Sequence, residues 1–390
     1  MLNDTRLWSG ITFREYHPRS VLMLHEAFKR SGRSALLFHA SGSQQDAPEQ
    51  FVRNVICPEA HRITHLRLHL SSEIFYDFLC LPPDLFSDLE DVRVETSVES
   101  DAAALRGVPD PSVFRGSFHL QRIEIVAPFE FLPPPFLLLL GLSWRTLTHI
   151  NFLSFPIQLS IALTAVARCT SLRECSLTLA TDSFLKVVSP AAIPLPQLQT
   201  LFIQEFRPNP DIFAEFLRPL VLPALHEFTF SLWERAELAD LAPLAEMADI
   251  VDSWSRGPAL RAELHYWGRH LAEVAGPLSF LTSIDAVHSV LPASGIRMMA
   301  QERYLPRLSS LRTSVDRADM DGFVDTLKTR WERVVGRDGS QRQRGARACV
   351  IRSGTVSILD ADYEIVSHFS RKMGEVLEEM GVFGVNINLS

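Results

Sequence analysis

The feature that most constrains this chain is a hexad that recurs along it, in which the first, fourth and sixth positions are apolar. Successive copies begin 25 to 31 residues apart, and so steady a spacing is not expected by chance. A repeat of about 20 to 29 residues is typical of leucine-rich repeats. The copies begin at Ile63, Leu89, Leu120, Leu147, Leu172, Leu198 and Leu225.

Two periodicities alternate along the repeat. The last two apolar positions of each hexad alternate with polar ones, as in a strand with one buried edge. Between hexads, apolar residues recur every three or four positions, as in an amphipathic helix. We therefore predict an α/β leucine-rich-repeat solenoid, a horseshoe with a short-stranded parallel concave sheet, convex helices and irregular repeats of about 26 residues. Helices are predicted over residues 72–79, 156–169, 211–217 and 236–254, with Pro156 in a first helical turn.

The hexads are regular over residues 63–233 and degenerate over residues 234–390. Copies at Leu281 and Leu308 keep the spacing, whereas the copy near Leu260 is poor. The same patterns predict a helix over residues 320–335 and strands around residues 349–351 and 382–387.

Composition and charge limit the classes of protein and of partner that fit this chain. With 46% hydrophobic and 22% charged residues, the chain has the composition of a folded globular protein. Its net charge of −8 argues against nucleic acid and anionic membranes as partners. The longest apolar runs fall short of the roughly 20 residues that span a bilayer. The first residues lack the features of a signal peptide, and five cysteines without a Cys-x-x-Cys pair favour a reduced protein of the cytoplasm or nucleus.

No common catalytic motif occurs in the sequence, neither Gly-x-Ser-x-Gly nor a phosphate-binding Gly-x-x-x-x-Gly-Lys nor His-Glu-x-x-His. His61, His65 and His69 would align as metal ligands on a helix, but they overlap a strand hexad. We therefore predict no metal, no cofactor and no enzymatic activity, with these histidines on the solvated face of the sheet.

Solenoids bind along their concave surface, so the polar positions between the buried ones are the candidate binding residues. Their charges are mixed, which suits a protein partner. The alternative is that they only keep this face soluble, as expected of milder positions such as Thr178. The candidates are His65, Arg67, His69, Asp91, Arg93, Glu95, Arg122, Glu124, His149, Asn151 and the aromatic Phe202.

Two segments of unusual composition each allow two interpretations. Residues 336–347 carry four arginines and one acid, which could contact phosphates or an acidic peptide, although glycines and polar residues favour a loop. Residues 132–136 (LPPPF) could be a polyproline ligand, but their place between two hexads favours a rigid turn.

Several segments resemble fungal F-box proteins with leucine-rich repeats. Residues 5–9 (TRLWS), 11–13 (ITF), 30–32 (RSG) and 35–38 (ALLF) look like the region directly after the F-box. The Leu-Pro openings at Leu195, Leu222 and Leu305 look like that family's repeats, as does the helix and strand over residues 373–387. The resemblance assigns residues 1–31 to the junction between F-box and repeats, and residues 32–390 to the repeat domain.

The resemblance implies substrate recognition for a cullin-RING ubiquitin ligase, in which an F-box docks on a Skp-type adaptor. Only seven residues precede Trp8, so we expect no F-box in this chain and adaptor binding only if one is restored upstream. Residues 81–86 (LPPDLF) resemble an F-box opening, but a strand hexad follows them. The alternative function is a structural or regulatory repeat protein that binds a partner without a ligase.

Overall fold

The structure is a computed structural model of the 390-residue chain. Contacts divide it into two compact units, Met1–Leu198 and Gln199–Ser390. It describes residues 9–13, 18–40, 51–96, 112–126, 140–180, 192–205, 211–233, 242–254, 260–267, 274–275, 278–291, 293–299, 301, 305–335, 353–359, 363–379 and 385–387.

In the first unit, strands β1 to β7 form a parallel ladder in chain order. Parallel neighbours need crossover connections, and short helices supply several of them. The elements are β1 (Gly10–Phe13), α1 (Pro18–Ser31), β2 (Leu36–Ala40), a π-helical turn (Val52–Ile56), a 3-10 helix (Cys57–Arg62), β3 (Ile63–Leu70), α2 (Ser72–Leu79), β4 (Asp91–Thr96), β5 (Arg122–Val126), β6 (His149–Gln158), α3 (Leu159–Ala167), β7 (Glu174–Ala180) and β8 (Ile193–Pro194).

The second unit repeats this construction. Its elements are β9 (Thr200–Glu205), α4 (Asp211–Leu217), β10 (Leu220–Val221), β11 (Glu227–Trp233), α5 (Ala242–Trp254), β12 (Arg261–Trp267), β13 (Ser283–Leu291), α6 (Ala293–Met299), β14 (Ser310–Asp316), a 3-10 helix (Arg317–Asp319), α7 (Met320–Val335), β15 (Ser353–Leu359), α8 (Tyr363–Glu379) and β16 (Val385–Ile387). Strands β9 and β11 to β16 pair in parallel, each with the next. The predicted α/β class with a parallel sheet is confirmed, and it fits a solenoid-like fold.

The hexads explain where the core lies. Their fourth positions form one row across β3 to β7 because the register pairs each with the next. Burying each such side chain contributes about 1.5 to 3 kcal/mol. The row consists of Leu66, Val92, Ile123, Ile150 and Cys175, all at most 3% exposed.

Side-chain hydroxyls connect successive repeats. Thr146 Oγ1 donates to the carbonyl of Leu120 at 2.8 Å, 26 residues earlier in the chain. In the second unit, Ser309 Oγ donates to the carbonyl of Thr282 at 3.1 Å. Leucine-rich repeats commonly place Asn or Cys at the ninth position, and the seven hexad repeats of this sequence have neither there. Further bonds of this kind run from Thr64 to Leu36, from Ser117 to Phe86, from Thr148 to Gln121 and from Ser289 to Tyr266.

A bulge in β6 overturns two predictions. The register with β7 shifts between Phe152 and Pro156, so the strand continues to Gln158 and α3 begins only at Leu159. Pro156 is therefore a strand residue and not part of a first helical turn. Thr178 is fully buried rather than exposed, because its hydroxyl donates to the carbonyl of Leu153 within the bulge.

In the degenerate region, the repeat near Leu260 that matches the hexad pattern poorly forms strand β12. Its buried side chains are Ala262, Leu264 and Tyr266, and Leu264 pairs with Phe230 of β11. A small and a phenolic side chain at core positions made this copy hard to identify from sequence. Helices Ser72–Leu79, Asp211–Leu217 and Met320–Val335 have the predicted bounds.

Some predictions fall on residues outside the described ranges. These are the proline-rich residues 132–136, the arginine-rich residues 336–347 and the strand expected around residues 349–351, while the described strand in that region is Ser353–Leu359. In the described ranges, each helix is too short or too polar to cross a membrane.

Candidate functional site

The polar side chains of β3 to β6 point away from the buried row and form a surface that we call the charged strand face. Alternation places them there, since successive residues of a strand point to opposite sides. Leu66 and Leu68 are buried, whereas Arg67 between them is exposed. The charged strand face consists of His65, Arg67, His69, Asp91, Arg93, Glu95, Arg122, Glu124, His149 and Asn151.

The strand register aligns these residues in rows. The structure thus brings together ten of the eleven predicted candidates, and the eleventh, Phe202, belongs to β9 of the second unit. The first row runs His65, Asp91, Arg122, His149; the second runs Arg67, Arg93, Glu124, Asn151; and the third pairs His69 with Glu95.

Arg93 is the centre of an ion-pair network. Its Nε donates to Glu95 Oε1 at 2.6 Å, and its Nη1 lies 3.2 Å from Glu124 Oε2. Asn151 Nδ2 donates to Glu124 Oε1 at 3.0 Å, and His69 Nδ1 lies 3.4 Å from Glu95 Oε2. Burial would raise the pKa of Glu95, but the hydrogen bond and charge of Arg93 outweigh it, so this pKa is lowered. The Glu95 carboxylate is therefore an ionised acceptor near neutral pH.

Two further pairs flank this network. Arg122 Nη1 lies 3.7 Å from Asp91 Oδ2, and His149 Nε2 lies 3.3 Å from Glu174 Oε1 on β7. Burial lowers the pKa of His149, and the nearby Glu174 carboxylate offsets this only in part. His149 is therefore mostly neutral at pH 7.

Arg67 differs from its neighbours because no carboxylate among the described residues pairs with it. Its neighbours across the sheet are His39 on β2 and Arg93 on β4, and the carboxylate that lines the same pocket, Glu95, accepts a hydrogen bond from Arg93. Arg67 lines a pocket of about 270 Å³ on the strand face. Such a cation favours a carboxylate or phosphate from outside the chain, held by charge-assisted hydrogen bonds. The pocket is lined by His39, Ala40, Arg67, Leu68, His69, Arg93 and Glu95.

The histidine series does not form a metal site. His61 lies in the 3-10 helix before β3 and is exposed, while His65 and His69 lie on the strand face. His39 is the pocket residue that the sequence analysis missed. The sequence pattern that could have identified it is the alternation of the apolar residues Leu36, Phe38 and Ala40, which places Leu37 and His39 on the outward side of the strand.

The second unit contains one cluster of potential metal ligands among the residues that the structure describes: Glu263, His265 and Asp285. Phe202 packs edge-on against the ring of His265, with centroids 5.8 Å apart. Sequence reasoning missed this cluster because the hexad near Leu260 is poor. The available signal was the Glu-x-His spacing, which places both side chains on one side of a strand.

Cys169 and Cys175 are core residues. Burial raises the pKa of Cys169 to about 12 and also raises that of Cys175. Both thiols therefore stay protonated, and neither has the character of a nucleophile.

No protein-family model matches the sequence, and the curated proteins contain no significant match to it either.

Proposed function

We propose that this chain is a non-catalytic protein-binding module, and that its charged strand face holds an acidic group of a partner protein. The observation that carries this proposal is Arg67, a cation without a carboxylate partner in the described part of the chain, beside a pocket large enough for a side chain. The neighbouring charges are paired, which orients them and sets the complementarity that a partner must meet.

The module is of leucine-rich-repeat type in this proposal. Support comes from the repeat spacing, from the parallel strands that the hexads form and from the helices between them. The resemblance to F-box proteins leads us to propose that the partner is a substrate of a cytoplasmic or nuclear ubiquitin ligase, with a Skp-type adaptor binding only if an F-box is restored upstream. A role without a ligase is the alternative.

Arg67→Glu is the sharpest test of the binding surface. It replaces the Arg67 cation by an anion, and we expect partner capture to fall by about tenfold or more. Arg33→Glu is the matched control, because Arg33 is also exposed but lies in the turn between α1 and β2. The proteins that wild type, Arg67→Glu and Arg33→Glu each capture from extracts of the source cells are quantified by mass spectrometry. Equal capture by the wild type and Arg67→Glu would contradict the assignment of the surface.

Arg93 is a poorer probe because its charge holds two carboxylates together. Arg93→Glu would place a third carboxylate beside Glu95 and Glu124, and repulsion would disturb the surface itself. A loss of binding in that variant would therefore not identify a direct contact.

The ligase role is tested separately. Partners whose capture depends on Arg67 are followed in cells with and without a proteasome inhibitor, and the product of the complete transcript is tested for binding a Skp-type adaptor. Adaptor binding together with partner accumulation under the inhibitor supports a substrate receptor. Unchanged partner abundance without adaptor binding favours the role without a ligase.

A further inference from the structure

Three potential ligands converge on the outward side of β12 and β13. His265 pairs directly with Asp285 across the two strands, and Glu263 precedes His265 by two residues on the same side. One ligand atom from each residue lies within 4.8 Å of the other two. Because strand registers fix all three positions, the convergence does not depend on a loop.

The spacing suits a metal ion of the size of Zn²⁺. Zinc lies about 2.0 to 2.2 Å from histidine nitrogen and carboxylate oxygen, so tetrahedral ligand atoms lie roughly 3.3 to 3.5 Å apart. His265 Nε2 and Glu263 Oε1 are already 3.2 Å apart. The Asp285 ligand atom lies within 4.8 Å of both, so for tetrahedral geometry it must approach them by at most about 1.5 Å.

The surroundings favour a cation. Two carboxylates and an imidazole face one another, with side chains 22 to 29% exposed, so the three groups are partly shielded from solvent. Phe202 packs edge-on against the imidazole of His265 and restricts its orientation. A carboxylate and imidazole donor set of this kind suits divalent ions such as Zn²⁺ better than Ca²⁺ or Mg²⁺, which prefer oxygen ligands alone.

Two arginines at present balance the charge of the carboxylates. Arg312 Nη1 donates to Asp285 Oδ2 at 2.8 Å, and Arg261 lies 3.8 Å from Glu263. Both guanidinium side chains are more than half exposed. A metal ion can therefore displace Arg312 from Asp285 into solvent at little cost, because an ion pair of an exposed guanidinium contributes little net stability.

We propose that Glu263, His265 and Asp285 bind a divalent transition-metal ion of the Zn²⁺ class, which displaces Arg312 from Asp285. Three protein ligands leave a further coordination position for water or for a group of a bound molecule. This site lies on different strands from the charged strand face, and it does not depend on the proposed function.

The test titrates the purified full chain with Co²⁺, a spectroscopic substitute for Zn²⁺, after treatment with a chelator. We expect one equivalent to bind with visible absorption bands, and Zn²⁺ to displace it. His265→Gln and Asp285→Asn should each weaken Co²⁺ binding by about tenfold or more. His149→Gln is the matched control, because His149 also pairs with a glutamate on an outward strand surface but lies outside this cluster.

Arg312→Ala distinguishes a metal site from a simple ion-pair network. It removes the competing cation, so a metal site predicts Co²⁺ binding several-fold tighter than in the wild type. A network without metal affinity predicts no one-to-one binding in either protein, which would overturn the proposal. Binding that survives both His265→Gln and Asp285→Asn would also overturn it, since the ion would then occupy other groups such as cysteines.

Discussion

The buried polar side chains of this protein differ in how many hydrogen-bond partners they have. Arg62 is 8% exposed, and its guanidinium donates to the carbonyl of Phe28 at 2.9 Å, to Ser31 Oγ at 2.8 Å and to Glu59 at 2.7 Å. A buried charge with so many partners ties α1 to the following repeat at little net cost. Glu205 is the opposite case, because it is 3% exposed and its Oε1 has no hydrogen-bond partner among the described residues.

Glu205 should make the stability of the chain depend on pH. Burial raises the pKa of its carboxyl group from 4.5 to about 8, so the folded chain keeps a proton that the unfolded chain has already lost. The contribution of Glu205 to stability is therefore complete below about pH 4.5 and is lost as the pH rises towards about 8. Relative to wild type, Glu205→Gln should gain on the order of 2 kcal/mol in unfolding free energy between pH 5.5 and 7.5.

Chemical denaturation at several pH values measures this difference for each variant. Glu215→Gln is the matched control, because Glu215 is exposed on α4 of the same unit. Parallel stability curves for wild type and Glu205→Gln would show that the carboxyl group is solvated or paired.

At the scale of single elements, side-chain hydroxyl bonds connect successive repeats. Each bond connects a serine or threonine to a backbone carbonyl of the preceding repeat, as from Thr146 to Leu120 and from Thr178 to Leu153. A buried carbonyl without a donor costs about 1 to 3 kcal/mol. Where such a carbonyl has no other donor, the hydroxyl avoids that cost, and elsewhere, as at Gln121 and Thr282, it adds a bond to a carbonyl that already accepts from the backbone.

Thr178→Val should destabilise the first unit by about 1 to 2 kcal/mol. The two side chains have nearly the same shape, so the loss comes from the hydrogen bond and from the unpaired carbonyl of Leu153. Thr229→Val is the control, because Thr229 occupies a partly exposed position on β11, where the change should stay within about 0.5 kcal/mol. Guanidinium denaturation measures both, and equal effects would contradict the role of the hydroxyl bond.

The elements also show how far the sequence could be interpreted. Apolar periodicity predicted the strands of the seven hexads and the bounds of Asp211–Leu217, because burial of one edge or stripe dictates that pattern. It could not predict the bulge in β6, which depends on pairing with β7. Nor could it show that Arg67 lies beside His39 or that Asp285 lies beside His265, because both contacts depend on the register between strands.

At the scale of the whole molecule, each unit is built from strands that pair with their neighbours in chain order. The stability of such a chain is approximately a sum of repeat energies and of interfaces between adjacent repeats. A local defect should therefore loosen its own neighbourhood and leave distant repeats protected. Leu264 offers a direct test, since it is fully buried on β12 and pairs with Phe230 and Ile284 on either side.

Leu264→Ala should cost about 2 to 5 kcal/mol, because it removes buried methyl groups and leaves a cavity. Hydrogen exchange followed by mass spectrometry should then show faster exchange in β11, β12 and β13, with the rates in β3 to β5 unchanged. Leu22→Ala is the matched control, because Leu22 is 69% exposed on α1 and its loss should change neither region. Faster exchange throughout both units would instead mean that the chain unfolds as one cooperative body, and the nearest-neighbour account would fail.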